Sequence, residues 1–274
     1  MRSRRTASSI VKNVVVWIVS IIMFVPVLLA ALNSFKEKYE ASSMSLSLPK
    51  EWHFENYAVV VQQGKLGQSF ANSLLYSVVA GVLIIILSTM CAFILQRRQT
   101  KFCRGIYYYV ILGIALPMNY VSLMKVMQLT MLNNTQIGIC LLYAAMQIPF
   151  TIFLMYGFIG TVPRELDEAG IIDGCSPLSL FFRIVFPLLK PIIVTTIVLT
   201  FMNTWNEFIT PLYYLSNSDL WPMTLAVYNF FGQFDTSWNL VCADIVLTSL
   251  PVVIIYLVGQ KYIISGMTTG AVKG

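Results

Sequence analysis

Residues 163–191, PRELDEAGIIDGCSPLSLFFRIVFPLLKP, gather most of the side chains in this sequence that could do chemistry. Glu165, Asp167 and Glu168 fall in the first turn of a potential helix, where carboxylates sit favourably against the positive end of the helix dipole. Pro163 suits that first turn, because an N–H there would have no helical partner anyway. Asp173-Gly174 offers a helix stop. Ser176 can cap a second helix and Pro177 can open it. The expected form is helix, turn, helix, and its chemistry is recognition rather than bond-making. Its exposed acidic and small residues could enter a groove on a partner; a solvated amphipathic loop without a partner is the plainer alternative.

Other candidate groups lie in apolar surroundings. Lys125, Glu207 and Asp244 are ionisable residues at potential membrane depth, where charge is expensive and usually faces a bundle interior or a wet path. Glu207 stands one turn from Asn203 and beside Asn206. These three could line a hydroxyl-rich path, with Trp205 and Tyr213 nearby to offer the aromatic faces that sugars favour. Hydrogen bonding between helices is the competing explanation. His53 is the sole histidine, so no histidine-based metal cluster can form. Cys91, Cys103, Cys140, Cys175 and Cys242 show no CxxC spacing and read as buried or incidental thiols. No GxxxxGK[ST] occurs, so the chain is expected not to hydrolyse ATP by itself.

The elements that must position these groups are membrane helices. The chain has 274 residues, 57% hydrophobic and 11% charged, against about 25% charged in a soluble domain. About 20 apolar residues span a bilayer as a helix, and six stretches qualify: 14–32, 71–95, 106–127 around Pro117, 137–160 with Pro149 inside, 188–210 and 241–263. The first follows Arg2, Arg4 and Arg5 but is too long for a signal-peptide core and lacks a small-x-small cleavage site, so a retained helix kinked at Pro26 is expected. Positive charge collects before the first stretch, between the second and third (Arg97, Arg98, Lys101, Arg104), between the fourth and fifth (Arg164, Arg183, Lys190) and after the sixth (Lys261, Lys273). By the positive-inside rule, both termini and the 163–191 segment face the cytoplasm. The net charge of +6 thus reflects topology rather than nucleic-acid binding. In the outer loop 33–70, Lys36, Lys38, Lys50 and Lys65 are matched by Glu37, Glu40, Glu51 and Glu55, and Trp52 and Tyr57 suit a membrane interface. No internal repeat of the kind that builds secondary transporters is evident.

The 163–191 segment resembles the EAA loop of permease subunits in binding-protein-dependent ABC importers. That pattern is Glu-Ala-Ala, three residues, Gly, nine residues, then Ile-x-Leu-Pro. Glu168-Ala169-Gly170, Gly174 and Ile184-Val185-Phe186-Pro187 keep both spacings, with Gly170 replacing an Ala and Phe186 replacing a Leu. Within the family the chain is most similar to the MalG-like branch of carbohydrate importers. The similarity includes Pro49, Trp52 and Asn56-Tyr57, the Asn134-Thr135 turn, Trp205-Asn206-Glu207 and the ending from Ser265 to Gly274.

The resemblance implies an all-α polytopic membrane protein with six transmembrane helices in the type I ABC importer permease fold. It divides into a first helix and outer loop (1–70), an importer core (71–264) holding the loop at 163–187, and a cytoplasmic tail (265–274). The loop is then a coupling helix seated in a cleft of an ATPase subunit. Glu168, Ala169, Gly170 and Gly174 would make the contact, and Glu165, Asp173 and Pro187 belong to the same coupling segment. Asn203, Trp205, Asn206 and Glu207 become substrate-path candidates. The tail, through Gly270, Lys273 and Gly274, would reach the ATPase interface, although its Gly-rich sequence has little intrinsic reason to fold. The aromatic loop 211–240 (Tyr213, Tyr214, Trp221, Tyr228, Phe230, Phe231, Phe234, Trp238) would meet a solute-binding protein.

Implied partners are a second homologous permease, two ATP-binding subunits that hold the ATP and Mg, an extracytoplasmic solute-binding protein, a carbohydrate and the lipid bilayer. No nucleic acid is implied, and the implied location is a prokaryotic inner or plasma membrane. The competing functions are a gradient-driven secondary transporter using Glu207 and Asp244, an importer of a polyol or glycerol-phosphate, and a membrane receptor or scaffold that moves no solute.

Overall fold

The computed structural model describes residues 2–232 and 235–271, without the side chains of 2–11 and 263–271. Its elements are α1 (Arg2–Asn33), α2 (Lys38–Ala41), α3 (Glu55–Gln63), α4 (Leu66–Arg97), α5 (Lys101–Ala115), α6 (Tyr120–Leu129), α7 (Gln136–Ile159), α8 (Glu165–Ile172), α9 (Pro177–Leu180), a π-helical turn (Phe181–Val185), α10 (Phe186–Leu188), α11 (Lys190–Asn206), α12 (Ile209–Tyr214), α13 (Met223–Ala226) and α14 (Trp238–Ala271). No strand occurs among the described residues beyond one bridge, Phe231 to Thr236. The all-α fold that the family resemblance implied is therefore the one observed.

Four helices are long and apolar enough to cross a membrane alone: Lys12–Asn33, Leu66–Arg97, Gln136–Ile159 and Trp238–Tyr262. Two further spans are bent pairs, α5 with α6 at 116° and Pro177–Leu188 with α11 at 78°. Pro117 explains the first bend. The residue before a proline is pushed to extended backbone, Leu116 has ψ 125°, and Asn119 starts a new helix by accepting from Ser122 N. The stretch read as 188–210 ends earlier, at Asn206, because Glu207 turns to extended backbone (ψ 127°). At the other end of the chain, the backbone of α14 stays helical through Ala271, past the start of the tail at Ser265.

Two compact units are distinguished, Met1–Gly67 with Ala226–Leu250, and Gln68–Leu225 with Pro251–Gly274. In the first, the outer loop is organised around a buried lysine, one of the four whose charge the glutamates match. Lys36 is fully buried, and its Nζ donates to Asn33 Oδ1 (3.1 Å), Ser45 O (2.8 Å), Ser45 Oγ (3.0 Å) and Ser47 Oγ (3.3 Å). Asn56 Nδ2 donates to Ser34 O (2.9 Å) and Lys36 O (3.0 Å), and Asn239 Nδ2 donates to Asn56 Oδ1 (3.0 Å). A buried cation needs such a shell of oxygens, since desolvation is otherwise prohibitive. Phe35 packs against the rings of Trp52, Phe54 and Tyr57 at centroid distances of 5.1–5.3 Å, so Trp52 and Tyr57 belong to an aromatic cluster.

The second unit has two apolar cores. One joins Ile85, Ala92 and Leu95 of α4 to Ile152, Met155 and Ile159 of α7, and to Phe181, Val185 and Ile193. The other joins Tyr76, Ala80 and Ile84 to Ile139, Tyr143, Met127 and Tyr214. The Asn134-Thr135 turn fixes the start of α7. Asn134 takes a left-handed φ of 57° and its Oδ1 accepts from Ser216 N and Asn217 N, both at 3.0 Å. Thr135 Oγ1 caps the helix by accepting from Gly138 N (3.0 Å). Gly138 admits no side chain, because a Cβ would lie 2.0 Å from Leu132 O. Gly138→Ala should therefore lower the melting temperature of the detergent-purified protein by several degrees, whereas Gly67→Ala, with no atom within 4 Å of its Cβ position in α4, should not lower it. Equal melting temperatures for both variants would contradict this packing.

Candidate functional site

The segment between α7 and α11 folds as its residues dictate. Glu165, Asp167 and Glu168 occupy the first turn of α8. Pro163 does not join that turn: Arg164 is the N-cap, so the proline lies one residue outside the helix. The helix ends in a Schellman arrangement, with Cys175 N bonded to Gly170 O (3.0 Å) and Gly174 N bonded to Ile171 O (3.0 Å). Gly174 carries the left-handed φ of 79° that this ending requires, where an L side chain costs about 1–2 kcal/mol. Ser176 Oγ accepts from Ser179 N (3.3 Å), and Pro177 opens α9.

The chain then widens into the π-helical turn Phe181–Val185. Pro187 lacks the N–H that would bond Arg183 O, and its ring crowds that carbonyl, so a wider turn just before it is physically reasonable. Leu189 ends this run, and the 78° bend into α11 follows, with Pro191 in the first turn of α11.

Two faces of α8 now separate. Asp167 and Gly170, three residues apart, point inward and are buried. A Cβ on Gly170 would lie 2.5 Å from Leu180 Cδ1 and 2.7 Å from Ile184 Cδ1, so α8 crosses the following turn at a residue without a side chain. This corrects the assignment of Gly170 to a partner contact: the residue packs inside the loop. Glu165, Glu168, Ala169, Asp173, Gly174 and Pro187 are exposed. So are Ile171 (63%), Ile172 (84%) and Leu178 (61%). These three apolar residues were not picked out among the acidic and small ones, although Ile171-Ile172 directly before a helix stop is a legible signal.

Asp167 pairs with Arg97, the last residue of α4, and both side chains are 12% exposed. Arg97 Nη1 and Nη2 also donate to Val162 O, each at 3.2 Å. In the sequence Arg97 reads only as a topology charge, because nothing local says that α4 ends beside α8.

The substrate-path candidates divide. Asn203 and Asn206 share an exposed face of α11, whereas Trp205 is buried against Phe70 and Phe201 at centroid distances of 5.7 and 5.3 Å. Trp205 is thus a core residue and does not stand beside the two asparagines. Glu207 accepts from Ile209 N (3.2 Å) and Thr210 N (2.8 Å), capping α12, and its carbonyl accepts from Thr224 Oγ1 (2.9 Å). Tyr143, Gln147 and Thr151 form a polar stripe on α7 at four-residue spacing, and Gln147 Nε2 donates to Thr204 Oγ1 (2.8 Å). That stripe was legible as polar residues recurring at i, i+4 and i+8 in an apolar helix. Lys125 is exposed on α6, and Asp244 is buried in α14.

Residues 84–269 match the family described as binding-protein-dependent transport system inner membrane component. The chain belongs to that family. The diacetylchitobiose uptake system permease protein NgcG of Streptomyces coelicolor is 33% identical over 274 residues, covering 98% of this chain and 90% of that protein. The melibiose/raffinose/stachyose import permease protein MelC of Bacillus subtilis is 34% identical over 278 residues, covering both chains completely. Among solved structures, a chain from a bacterial ABC transporter involved in the import of the acidic polysaccharide alginate superposes with a TM-score of 0.83 at 22% identity, over 96% of this chain and 98% of that one. The permease is accordingly a multi-pass membrane component with an importer fold. The family match takes in the whole 163–191 segment, both bent pairs and α11.

Two other parts of the permease were singled out from its sequence. Gly270 lies in the helical backbone of α14, while Lys273 and Gly274 fall outside the described residues. In the aromatic loop, Tyr213, Tyr228 and Phe231 are exposed, Tyr214 and Phe230 are buried, and Phe234 lies outside the described residues.

The tight crossing at Gly170 yields a direct test. Gly170→Val should lift α8 off the π-helical turn and open it to a glutamate-specific protease at Glu165 and Glu168, raising the cleavage rate by about tenfold or more. Gly105→Val, which meets nothing within 4 Å at its Cβ position, should leave cleavage unchanged. Equal rates in the two variants would contradict the packing role.

Proposed function

We propose that this permease is the membrane-spanning subunit of an ATP-driven importer for a carbohydrate, an oligosaccharide in the first instance. The observation that carries the reading is the two-faced α8. Its inner face is held by Asp167 and Gly170, and its outer face presents Glu165, Glu168, Ala169, Ile171 and Ile172 beside the Gly174 turn. A short helix with packed inner residues and an exposed acidic and apolar outer face is suited to sit in a partner's cleft, since buried apolar anchors supply most interface energy. On this reading the segment lies in the cytoplasm, as do both termini. Two separate ATPase subunits bind ATP and Mg, a second permease completes the membrane part, and an extracytoplasmic binding protein delivers the solute.

Closure of the ATPase pair moves α8, and the bundle alternates between outward and inward access. The choice of a carbohydrate is supported by the names of the relatives, which import diacetylchitobiose and melibiose, raffinose or stachyose. The exposed amides of Asn203 and Asn206 are suited to sugar hydroxyls. Glu207 contributes by ending α11 and starting α12, its carboxylate engaged by two backbone N–H groups.

The test uses the complete complex in proteoliposomes with its binding protein. The native complex should couple ATP hydrolysis to labelled-oligosaccharide uptake, and uptake should survive a protonophore. Glu168→Lys with Ile172→Asp should lower both activities by about 30-fold, the equivalent of losing one strong interface anchor of about 2 kcal/mol. Uptake that persists in the variant, or that collapses with the protonophore, would overturn the proposal. For orientation, a lone cysteine at position 176, in a chain with the five native cysteines replaced, should react with an impermeant thiol reagent only from the cytoplasmic side. Labelling from outside would reverse the topology.

A further inference from the structure

We infer that Arg97 is a positioning residue for coupling, tying the ends of two membrane-spanning helices to α8 through Asp167. This rests on the importer reading above, but its geometry does not. Arg97 closes α4, and the last carbonyls of a helix lack partners within it. Both Nη groups of Arg97 donate to Val162 O at 3.2 Å, just past the end of α7, and Nη1 lies 3.5 Å from Ile159 O, in its last turn. The same guanidinium pairs with Asp167 in the first turn of α8. Arg97 also stands over the Phe93 ring, 6.0 Å from its centroid. One planar group with a fixed fork of donors therefore meets three elements at once, which a lysine ammonium cannot reproduce.

The simpler account makes Arg97 a topology charge that points into solvent. Its burial and its bonds argue against that. Arg98, the next residue, is the one that is exposed, and it keeps the charge bias without any such arrangement. The helix α8 therefore has two inner anchors, three residues apart. Gly170 seats it on the turn that leads into α11, and Asp167 locks it to the ends of α4 and α7. A displacement of α8 is passed to α11 through packing and to α4 and α7 through the ion pair. Without the pair, α8 can rock about the Gly170 contact, and a partner's movement is taken up in the loop.

The test compares the native complex with Arg97→Gln, Asp167→Asn, Arg97→Lys and the double variant Arg97→Gln/Asp167→Asn. Two quantities are read: ATP hydrolysed per labelled solute imported, and amide hydrogen exchange of residues 165–172 in the same complexes. A variant that merely destabilises the assembly lowers hydrolysis and uptake together and leaves their ratio unchanged. The expected result is a several-fold rise in ATP per solute in Arg97→Gln and Asp167→Asn, with faster exchange confined to 165–172. The double variant should be no worse than either single one, because the two residues act as a unit. Arg97→Lys, which keeps the charge but not the fork, should fall between native and Arg97→Gln.

An unchanged ratio with unchanged exchange overturns the inference. Faster exchange spread over the whole chain also overturns it, since Arg97 would then be only a stability residue. If the native complex shows no ATP-driven uptake, the importer reading fails, and the exchange comparison still decides whether Arg97 and Asp167 hold α8.

Discussion

The loop between α7 and α11 holds its shape because α8 crosses the turn behind it at a residue with no side chain. At Gly170 a Cβ would lie 2.5 Å from Leu180 Cδ1 and 2.7 Å from Ile184 Cδ1, so any side chain there must displace the tips of both. Everything outward of that contact follows from it. The three-residue spacing that turns Gly170 inward turns Asp167 inward as well, and the helical period then leaves Glu165, Glu168 and Ile172 on the other side. A protein interior is close-packed and transmits strain, so a helix seated this closely moves with what it sits on. Glycine lowers the intrinsic stability of α8 by about 1 kcal/mol relative to alanine, and the packing it permits offsets that.

The bundle itself depends on deliberate interruptions. Pro117 with Asn119 bends one span, Pro187 and Pro191 frame the bend ahead of α11, and Glu207 ends α11 and caps α12. Broken helices expose backbone groups that lipid cannot satisfy, so each break needs a local partner. Asn119 and Glu207 supply one through their side chains, and Thr135 does the same where α7 begins. These polar residues in an apolar chain are therefore first of all structural.

Much of this was legible in the sequence, and the rest was not for identifiable reasons. The apolar stretches revealed the spans because hydrocarbon thickness sets their length. The Schellman ending at Gly174 and the cap at Ser176 were legible because both are local, decided within six residues. Gly170 was misread as a partner contact, since the sequence does not say which side of α8 faces the next turn. Lys36 was counted only as one of four outer-loop lysines matched by glutamates, since the oxygens that bury it come from residues up to eleven positions away. Trp205 was placed beside Asn203 and Asn206 by proximity in sequence, yet the helical period carries it to the opposite side. Arg97 and Asp167 are seventy positions apart, and only the meeting of α4 with α8 reveals them as a pair.

The central claim is that α8 moves with the bundle instead of sliding over it. The most direct test places spin labels at Ile172 on the outer face of α8 and at Ile94, an exposed residue near the end of α4. Their distance distribution is then measured in the assembled complex, with and without bound ATP. The account predicts one narrow distribution that ATP leaves unchanged. A shift or a broadening on ATP binding would mean that the loop yields, and would contradict it.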